Sequence, residues 1–200
     1  MPNLPPVTKA LMLICTAIFA LQQLPLLPLA EFLALWPLAS GLFWPWQVVT
    51  YGFLHGDMMH LFFNMLGMWM FGCELERLWG PRRYIHMLLA SVVAAAVVQL
   101  LFTMLTGSRA PTVGASGALF GLLLSYGMLF PNRIIMPLFP PIPMKARTFV
   151  MVFGAIELFF GMSGRSGVAH FAHLGGMLGA WLMILHWRGR LPFGGGGRRR

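Results

Sequence analysis

The chain has 200 residues, of which 58% are hydrophobic and only 10% are charged, and its mean hydropathy is +0.75. Soluble domains carry about 25% charged residues, so this composition excludes an ordinary soluble domain and indicates an integral membrane protein. The net charge of +9 does not indicate nucleic-acid binding, because the basic residues lie at the edges of apolar stretches, where such residues set membrane topology.

Six apolar stretches predict six transmembrane helices, because about 20 apolar residues are needed to cross a bilayer. In chain order they cover residues 9–28, 58–76, 83–106, 115–131, 147–162 and 168–187. The first stretch could instead be a signal peptide, since Lys9 precedes it and Ala30 could end a weak cleavage site. Its length and its late prolines favour a retained helix. The predicted fold class is an all-α membrane protein with one domain over residues 1–190.

The segment from Glu31 to Thr50 is too polar and too rich in proline to form a full span. Its tryptophans at positions 36, 44 and 46 are typical of the membrane–water interface. We therefore predict an interfacial first outer loop that is partly inserted in the membrane. An ordinary aromatic belt is the alternative.

The distribution of basic residues predicts the orientation of the spans. With the N-terminus in the cytosol, 12 of the 14 Lys and Arg residues fall on the inner side, and Arg109 and Arg165 fall outside. This asymmetry follows the positive-inside rule. Residues 191–200, with four glycines and three arginines, predict a flexible basic cytosolic tail.

Polar residues lie near the outer ends of predicted spans two, four and six. His60 and Asn64 begin the second span, Ser116 begins the fourth and His173 begins the sixth. Polar groups inside a membrane are unfavourable and usually face a bundle interior or a wet cavity. Since these three spans run from outside to inside, we expect the four residues to lie at a similar depth.

Glycines four residues apart favour a close approach of the fourth and sixth spans. The pairs are Gly117 with Gly121 and Gly175 with Gly179. Small residues at this spacing let membrane helices pack closely. The same pattern is common in helix packing without any chemistry.

Three serines occur in a Gly-x-Ser-Gly motif, so the motif alone does not select a nucleophile. Ser163 and Ser166 lie in or near the loop before the sixth span, where Gly and Ser are typical of turns. Ser116 begins a helix, whose free N–H groups and dipole could stabilise an oxyanion. We therefore predict that Ser116 is the nucleophile.

Four of the six histidines, at positions 55, 60, 170 and 173, fall on the outer side. Such a cluster favours function over isolated structural roles. His60 and Asn64 share one helix face and can both donate hydrogen bonds to one anion. Glu157 in the fifth span could be a paired structural carboxylate or a functional one, and the sequence leaves this open. A Ser–His dyad is chemically sufficient if packing, instead of a carboxylate, orients the imidazole, and Phe120 could press on the His173 ring.

The ordered motifs resemble those of the rhomboid family of intramembrane serine proteases, over roughly Trp46 to Trp187. They are His60-x-x-x-Asn64, Glu74-x-Glu76-x-x-Trp79-Gly80, Gly114-x-Ser116-Gly117 and Ala172-His173-x-x-Gly176. The resemblance implies a six-helix rhomboid-like bundle with Ser116 as nucleophile and His173 as general base. It also implies an oxyanion hole formed by His60, Asn64 and the Ser116 N–H, with supporting roles for Gly114, Gly117, Phe120 and Gly176.

The resemblance further implies an enzyme without a cofactor or a metal. Its substrates would be membrane proteins cleaved in or near a transmembrane segment, with no nucleic-acid partner. Together with the basic inner loops, it implies a multi-pass protein of a bacterial plasma membrane. Both termini would be cytosolic and the active site would open to the outer side.

Two positions depart from the family's pattern. Gln47 follows Trp46 where many members have arginine, which puts a contact of the first outer loop in doubt. Ala180 replaces a glycine of the last helix, but alanine is small enough for close packing. Neither change affects the dyad, so we predict an active enzyme. The alternatives are a non-catalytic rhomboid-like membrane chaperone and a metal or haem protein that uses the outer histidines.

Overall fold

The computed structural model is mostly helical and describes residues 4–24, 26–138, 140–163 and 169–190. Its helices are α1 (Pro6–Gln22), α2 (Leu29–Leu33), α3 (Gln47–Thr50), α4 (Met58–Gly67), α5 (Cys73–Thr106), α6 (Ser116–Leu129), α7 (Ala146–Ser163) and α8 (His170–Trp187). Two-residue strands, β1 (Ile134–Ile135) and β2 (Met144–Lys145), pair antiparallel between α6 and α7. Short 3₁₀ turns cover Leu38–Ser40 and Tyr51–Phe53.

The second and third predicted spans are two limbs of one interrupted helical run. A π-helical turn, Met68–Gly72, connects α4 to α5. Within α5 the backbone bends at Gly80, whose φ of 75° is readily adopted only by glycine. Pro81 follows the bend and begins the second limb, where its missing N–H leaves no helical hydrogen bond unmade.

All six predicted stretches are largely helical, with the second and third in the continuous run from α4 to α5, and α1 and α6 end earlier than expected. Helix α1 ends at Gln22 instead of residue 28, because Pro25 and Pro28 cannot continue a helix. In the described parts of the chain, two helical runs are long and apolar enough to cross a membrane, Met58–Thr106 and Ala146–Ser163. Helices α1 and α6 are shorter apolar helices. The count of six membrane spans therefore stays a prediction.

Helix α8 makes its most extensive contacts with α5 and α6. A Cβ atom added to Gly176 would lie 1.9 Å from the Gly117 carbonyl oxygen, so the backbones of α6 and α8 touch. Ala180, about one turn further along α8, is completely buried. This close contact brings the N-terminal end of α6 beside the N-terminal end of α8. The core around it includes Leu75, Tyr84, Met87, Leu122 and Ile184.

The loop between α1 and α4 is joined by hydrogen bonds to the segment that precedes α6. Leu35 and Thr112 form an isolated antiparallel bridge, with N···O distances of 3.0 and 2.9 Å. The Gly114 N–H donates to the Tyr51 carbonyl at 3.0 Å. Trp44 and Trp46 stack on each other with ring centroids 5.0 Å apart, and both are about half exposed.

Gln47 organises this loop, although the sequence analysis left its contacts in doubt. Its side chain is completely buried. The Gln47 Oε1 accepts hydrogen bonds from the backbone N–H groups of Trp36 and Trp44, at 3.3 and 3.2 Å. Its Nε2 donates to the carbonyls of Leu42 and Phe32, at 3.0 and 3.4 Å. A neutral amide can both donate and accept, which an arginine side chain cannot do.

A buried carboxylate of α5 fastens the beginning of α1. Glu76 is 2% exposed and accepts from the backbone N–H groups of Val7 and Thr8, at 2.9 and 2.7 Å. The Thr8 hydroxyl donates to the same carboxylate at 2.8 Å. These bonds satisfy N-terminal donors of α1 that have no partner within the helix.

Candidate active site

Ser116 occupies the first position of α6, after a turn that only glycine readily forms. Gly114 has a φ of +126°, which is unfavourable for residues with a side chain. A Cβ atom on Gly114 would lie 2.7 Å from the His60 imidazole. Glycine at this position therefore permits both the turn that presents Ser116 and the approach of His60.

His173 reaches Ser116 across the contact between α6 and α8. The His173 Nε2 lies 2.7 Å from the Ser116 Oγ, within hydrogen-bond distance. The Phe120 ring, one turn along α6, stacks on the imidazole with centroids 4.3 Å apart and planes within 6° of each other. His173 is 7% exposed, so packing restricts the orientation of its ring.

His60 and Asn64 face the same region from the start of α4. Asp57 caps this helix by accepting from the His60 backbone N–H at 2.8 Å. The His60 Nδ1 accepts from the Gly56 N–H at 3.4 Å, which places the proton of the neutral ring on Nε2, the nitrogen beside Gly114. The Asn64 Nδ2 donates to the His60 carbonyl at 2.9 Å and retains a second N–H.

A single open cavity connects these groups, and its volume is about 850 Å³. His60, Asn64, Ser116 and His173 contribute polar atoms to its lining. Aromatic side chains form much of the remaining wall, among them those of Phe63, Phe102, Phe120, Phe160 and Phe171. A cavity of this volume can hold many water molecules, since each occupies about 30 Å³ in the liquid.

Glu157, whose role the sequence leaves open, lies beside His173. The Glu157 Oε2 lies 2.8 Å from the His173 Nδ1 and 2.5 Å from the His170 Nδ1. All three side chains are buried. The sequence feature that could have indicated this contact is Glu157 itself, an acidic residue inside an apolar stretch. Spacing along the chain does not show which neighbouring helix such a residue faces.

The histidines at positions 55, 60, 170 and 173 divide into two pairs. The His55 and His60 rings meet edge to face with centroids 5.2 Å apart. Burial, with a further contribution from the nearby His60, lowers the pKa of His55 to about 4, so its ring is neutral near pH 7. His170 and His173 form the second pair, and both contact Glu157.

Among the described residues, Glu157, His170 and His173 have the spacing of a metal site, with ligand atoms within 4.8 Å of one another.

The other two candidate serines differ from Ser116 in their surroundings. The Ser163 hydroxyl donates to the Phe160 carbonyl at 2.8 Å, at the exposed end of α7. Ser166 lies outside the described residues. The arrangement around Ser116 can support acyl transfer, because a hydroxyl, an imidazole and several N–H donors converge on one cavity.

Comparison with known proteins identifies the family. The sequence profile of the Rhomboid domain matches residues 43–189, which include every predicted site residue. The chain is 30% identical over 138 residues to Rhomboid protease GluP of Bacillus subtilis, covering 68% of this chain and 25% of that protein. It is 33% identical over 138 residues to Rhomboid protein 1, mitochondrial, of Saccharomyces cerevisiae, covering 67% of this chain and 39% of that protein.

A third relative, Rhomboid protease GlpG of Yersinia pestis, is 29% identical over 183 residues, or 89% of this chain and 61% of that protein. The chain thus spans between a quarter and three fifths of the length of these relatives. It belongs to the rhomboid family, as its motifs predicted. Members of this family are integral membrane proteins, and rhomboid proteases are serine proteases that act on transmembrane substrates within the bilayer.

Proposed function

We propose that this chain is an intramembrane serine endopeptidase that cleaves membrane proteins in or near a transmembrane segment. The observation that carries this proposal is the 2.7 Å contact between the Ser116 Oγ and the His173 Nε2 inside the cavity. The proposal includes a six-span rhomboid-like bundle with an interfacial first outer loop. It also retains the single domain over residues 1–190 and the flexible cytosolic tail over residues 191–200.

The site supports acyl transfer in two steps. His173 accepts the Ser116 proton at Nε2 while the Ser116 Oγ attacks the scissile carbonyl carbon. The tetrahedral intermediate collapses, and His173 returns the proton to the leaving amine. Water from the cavity then attacks the acyl-enzyme, with His173 again accepting a proton. His173 returns this proton to the Ser116 Oγ as the new carboxyl group leaves, which regenerates the free hydroxyl.

Three groups surround the position where the oxyanion would develop. The Ser116 backbone N–H is free at the helix N-terminus, and the helix dipole adds partial positive charge there. The His60 Nε2–H and the second N–H of Asn64 complete the set. Donors fixed in advance around a developing negative charge are usually the largest electrostatic contribution to acyl transfer.

The surface of the bundle and its charge distribution support a membrane location. Large apolar side chains on several helices are exposed, with exposed fractions of 60% for Leu13, 59% for Met104 and 69% for Phe159. A lipid environment would cover such surface without loss of stability. The distribution of basic residues supports a cytosolic position for both termini, and we propose that the cavity opens to the outer side of a bacterial plasma membrane. No cofactor or metal is part of the proposal.

Cleavage of a transmembrane substrate by the purified protein in liposomes tests this function, together with labelling by a fluorophosphonate. We expect Ser116→Ala to abolish labelling and to reduce cleavage about a thousandfold or more. The matched control is Ser163→Ala, which removes a hydroxyl from the same sequence motif and should change neither result. Equal cleavage by the wild type and Ser116→Ala would exclude Ser116 as the nucleophile. A folded wild type with no labelling or cleavage would favour a non-catalytic member of the family.

A further inference from the structure

The carboxylate of Glu157 contacts the His173 imidazole at the ring nitrogen opposite the one that faces Ser116. Helix α7 supplies Glu157, and α8 supplies His170 and His173 one turn apart. The Glu157 side chain is 7% exposed, and its Oε2 contacts both imidazoles at Nδ1. One carboxylate oxygen is therefore shared between two imidazoles.

This contact determines which nitrogen of His173 carries the proton. An ionised carboxylate has no hydrogen to donate, so both imidazoles must donate to it from Nδ1–H. In the neutral His173 ring, Nε2 then has a free lone pair. That lone pair faces the Ser116 Oγ at 2.7 Å, as a general base requires. The opposite tautomer would present an N–H to Ser116 and could not accept its proton.

The same carboxylate acts on the charge that His173 acquires during the reaction. When His173 accepts the Ser116 proton, a positive imidazolium lies 2.8 Å from the Glu157 oxygen. Burial reduces solvent screening between the two charges, so the attraction stabilises the charged intermediate. The hydrogen bond from His170 holds the carboxylate in place and compensates for part of its lost hydration.

We propose that Glu157 is a positioning residue for His173, so that the site works as a linked Ser116–His173–Glu157 arrangement with His170 anchoring the carboxylate. This inference rests on the proposed proteolytic function, in which His173 is the general base. In this arrangement the His173 ring is oriented both by packing and by a hydrogen-bonded carboxylate, not by packing alone.

The substitution Glu157→Gln removes the negative charge while keeping the size of the side chain. We expect kcat to fall at least about tenfold, and up to about 10⁴-fold if the amide N–H turns toward His173 and imposes the wrong tautomer. KM should stay unchanged, because Glu157 is not among the residues that line the cavity. Substituting His170→Ala should reduce kcat less, because the bond between His173 and Glu157 remains.

The matched control is Glu76→Gln, which neutralises the other extensively bonded buried carboxylate, at the beginning of α1. We expect Glu76→Gln to lower the melting temperature while kcat per folded molecule remains that of the wild type. Glu157→Gln should lower kcat far more than its effect on melting accounts for. If Glu157→Gln lowers the melting temperature but leaves kcat within twofold, Glu157 serves only to pair α7 with α8 and the inference is wrong.

Nitrogen NMR of the histidine rings provides a second readout that a structural role would not change. We expect His173 to carry its proton on Nδ1 in the wild type and to lose that preference in Glu157→Ala. The signal is assigned by its absence from His173→Gln. A wild-type His173 protonated on Nε2 contradicts the inference. Loss of wild-type cleavage on adding a chelator would also contradict it, because the trio would then hold a metal.

These outcomes are separable from a failure of the proposed function. If Ser116→Ala abolishes cleavage and Glu157→Gln does not affect it, the proposed protease function is supported and the positioning role of Glu157 is contradicted. If the wild type shows no cleavage, the NMR tautomer still reports whether Glu157 orients His173. If Ser116→Ala retains wild-type cleavage, the proposed function fails irrespective of Glu157.

Discussion

Replacing Gly176 by alanine tests whether the contact between α6 and α8 sets the geometry of the site. The added Cβ would lie 1.9 Å from the Gly117 carbonyl oxygen, whereas real Cβ contacts are essentially never shorter than 3.0 Å. The two helices must therefore separate by at least about 1.1 Å at this point. Because Ser116 adjoins Gly117 and His173 is one turn from Gly176, their 2.7 Å contact would lengthen beyond hydrogen-bond distance.

A displacement of about 1 Å can reduce a reaction rate about 100-fold, and we expect a loss of that order for Gly176→Ala. The control is Gly154→Ala in α7, where the nearest atom to an added Cβ is the flexible Met177 Cε at an ordinary 3.5 Å. Cleavage of the transmembrane substrate and melting in detergent are measured for both variants. A folded Gly176→Ala protein with wild-type cleavage would show that the helix contact does not control the site.

Three further predictions follow from individual residues. We expect Gly114→Ala to lower kcat about 100-fold or more, because its Cβ would displace the His60 imidazole; normal kcat would remove His60 from the oxyanion hole. Gln47→Leu should lower the free energy of unfolding by about 2–4 kcal/mol, because it leaves buried backbone groups of the loop without partners; an unchanged melting curve would contradict this. The unfolded chain binds a proton at His55 near pH 6.5, whereas the folded chain does so near pH 4, so stability should fall as the pH drops between these values. Substituting His55→Phe should weaken that dependence in unfolding measured from pH 7 to 4, and an identical dependence in both proteins would refute the assignment.

The sequence predicted which residues belong to one site better than it predicted their contacts. Span direction and motif order predict one membrane depth for Ser116, His173 and His60, which stays a prediction, and the structure arranges these side chains around one cavity. Periodicity could not reveal the partner of Glu157, because it does not show which residues of two helices face each other. The hydrogen bonds of Gln47 could not be predicted either, because the contacts of an irregular loop follow no repeating sequence pattern.

The carboxylate that fastens α1 has a consequence for the order of assembly. The matched Rhomboid domain begins at residue 43, so α1 precedes it in the chain. Its first N–H groups find their acceptor only on Glu76. During synthesis α1 is therefore complete well before the group that caps it has emerged. The hydrogen bonds that fasten α1 can form only after the part of α5 that carries Glu76 has been made, so α1 is capped later than it is synthesised.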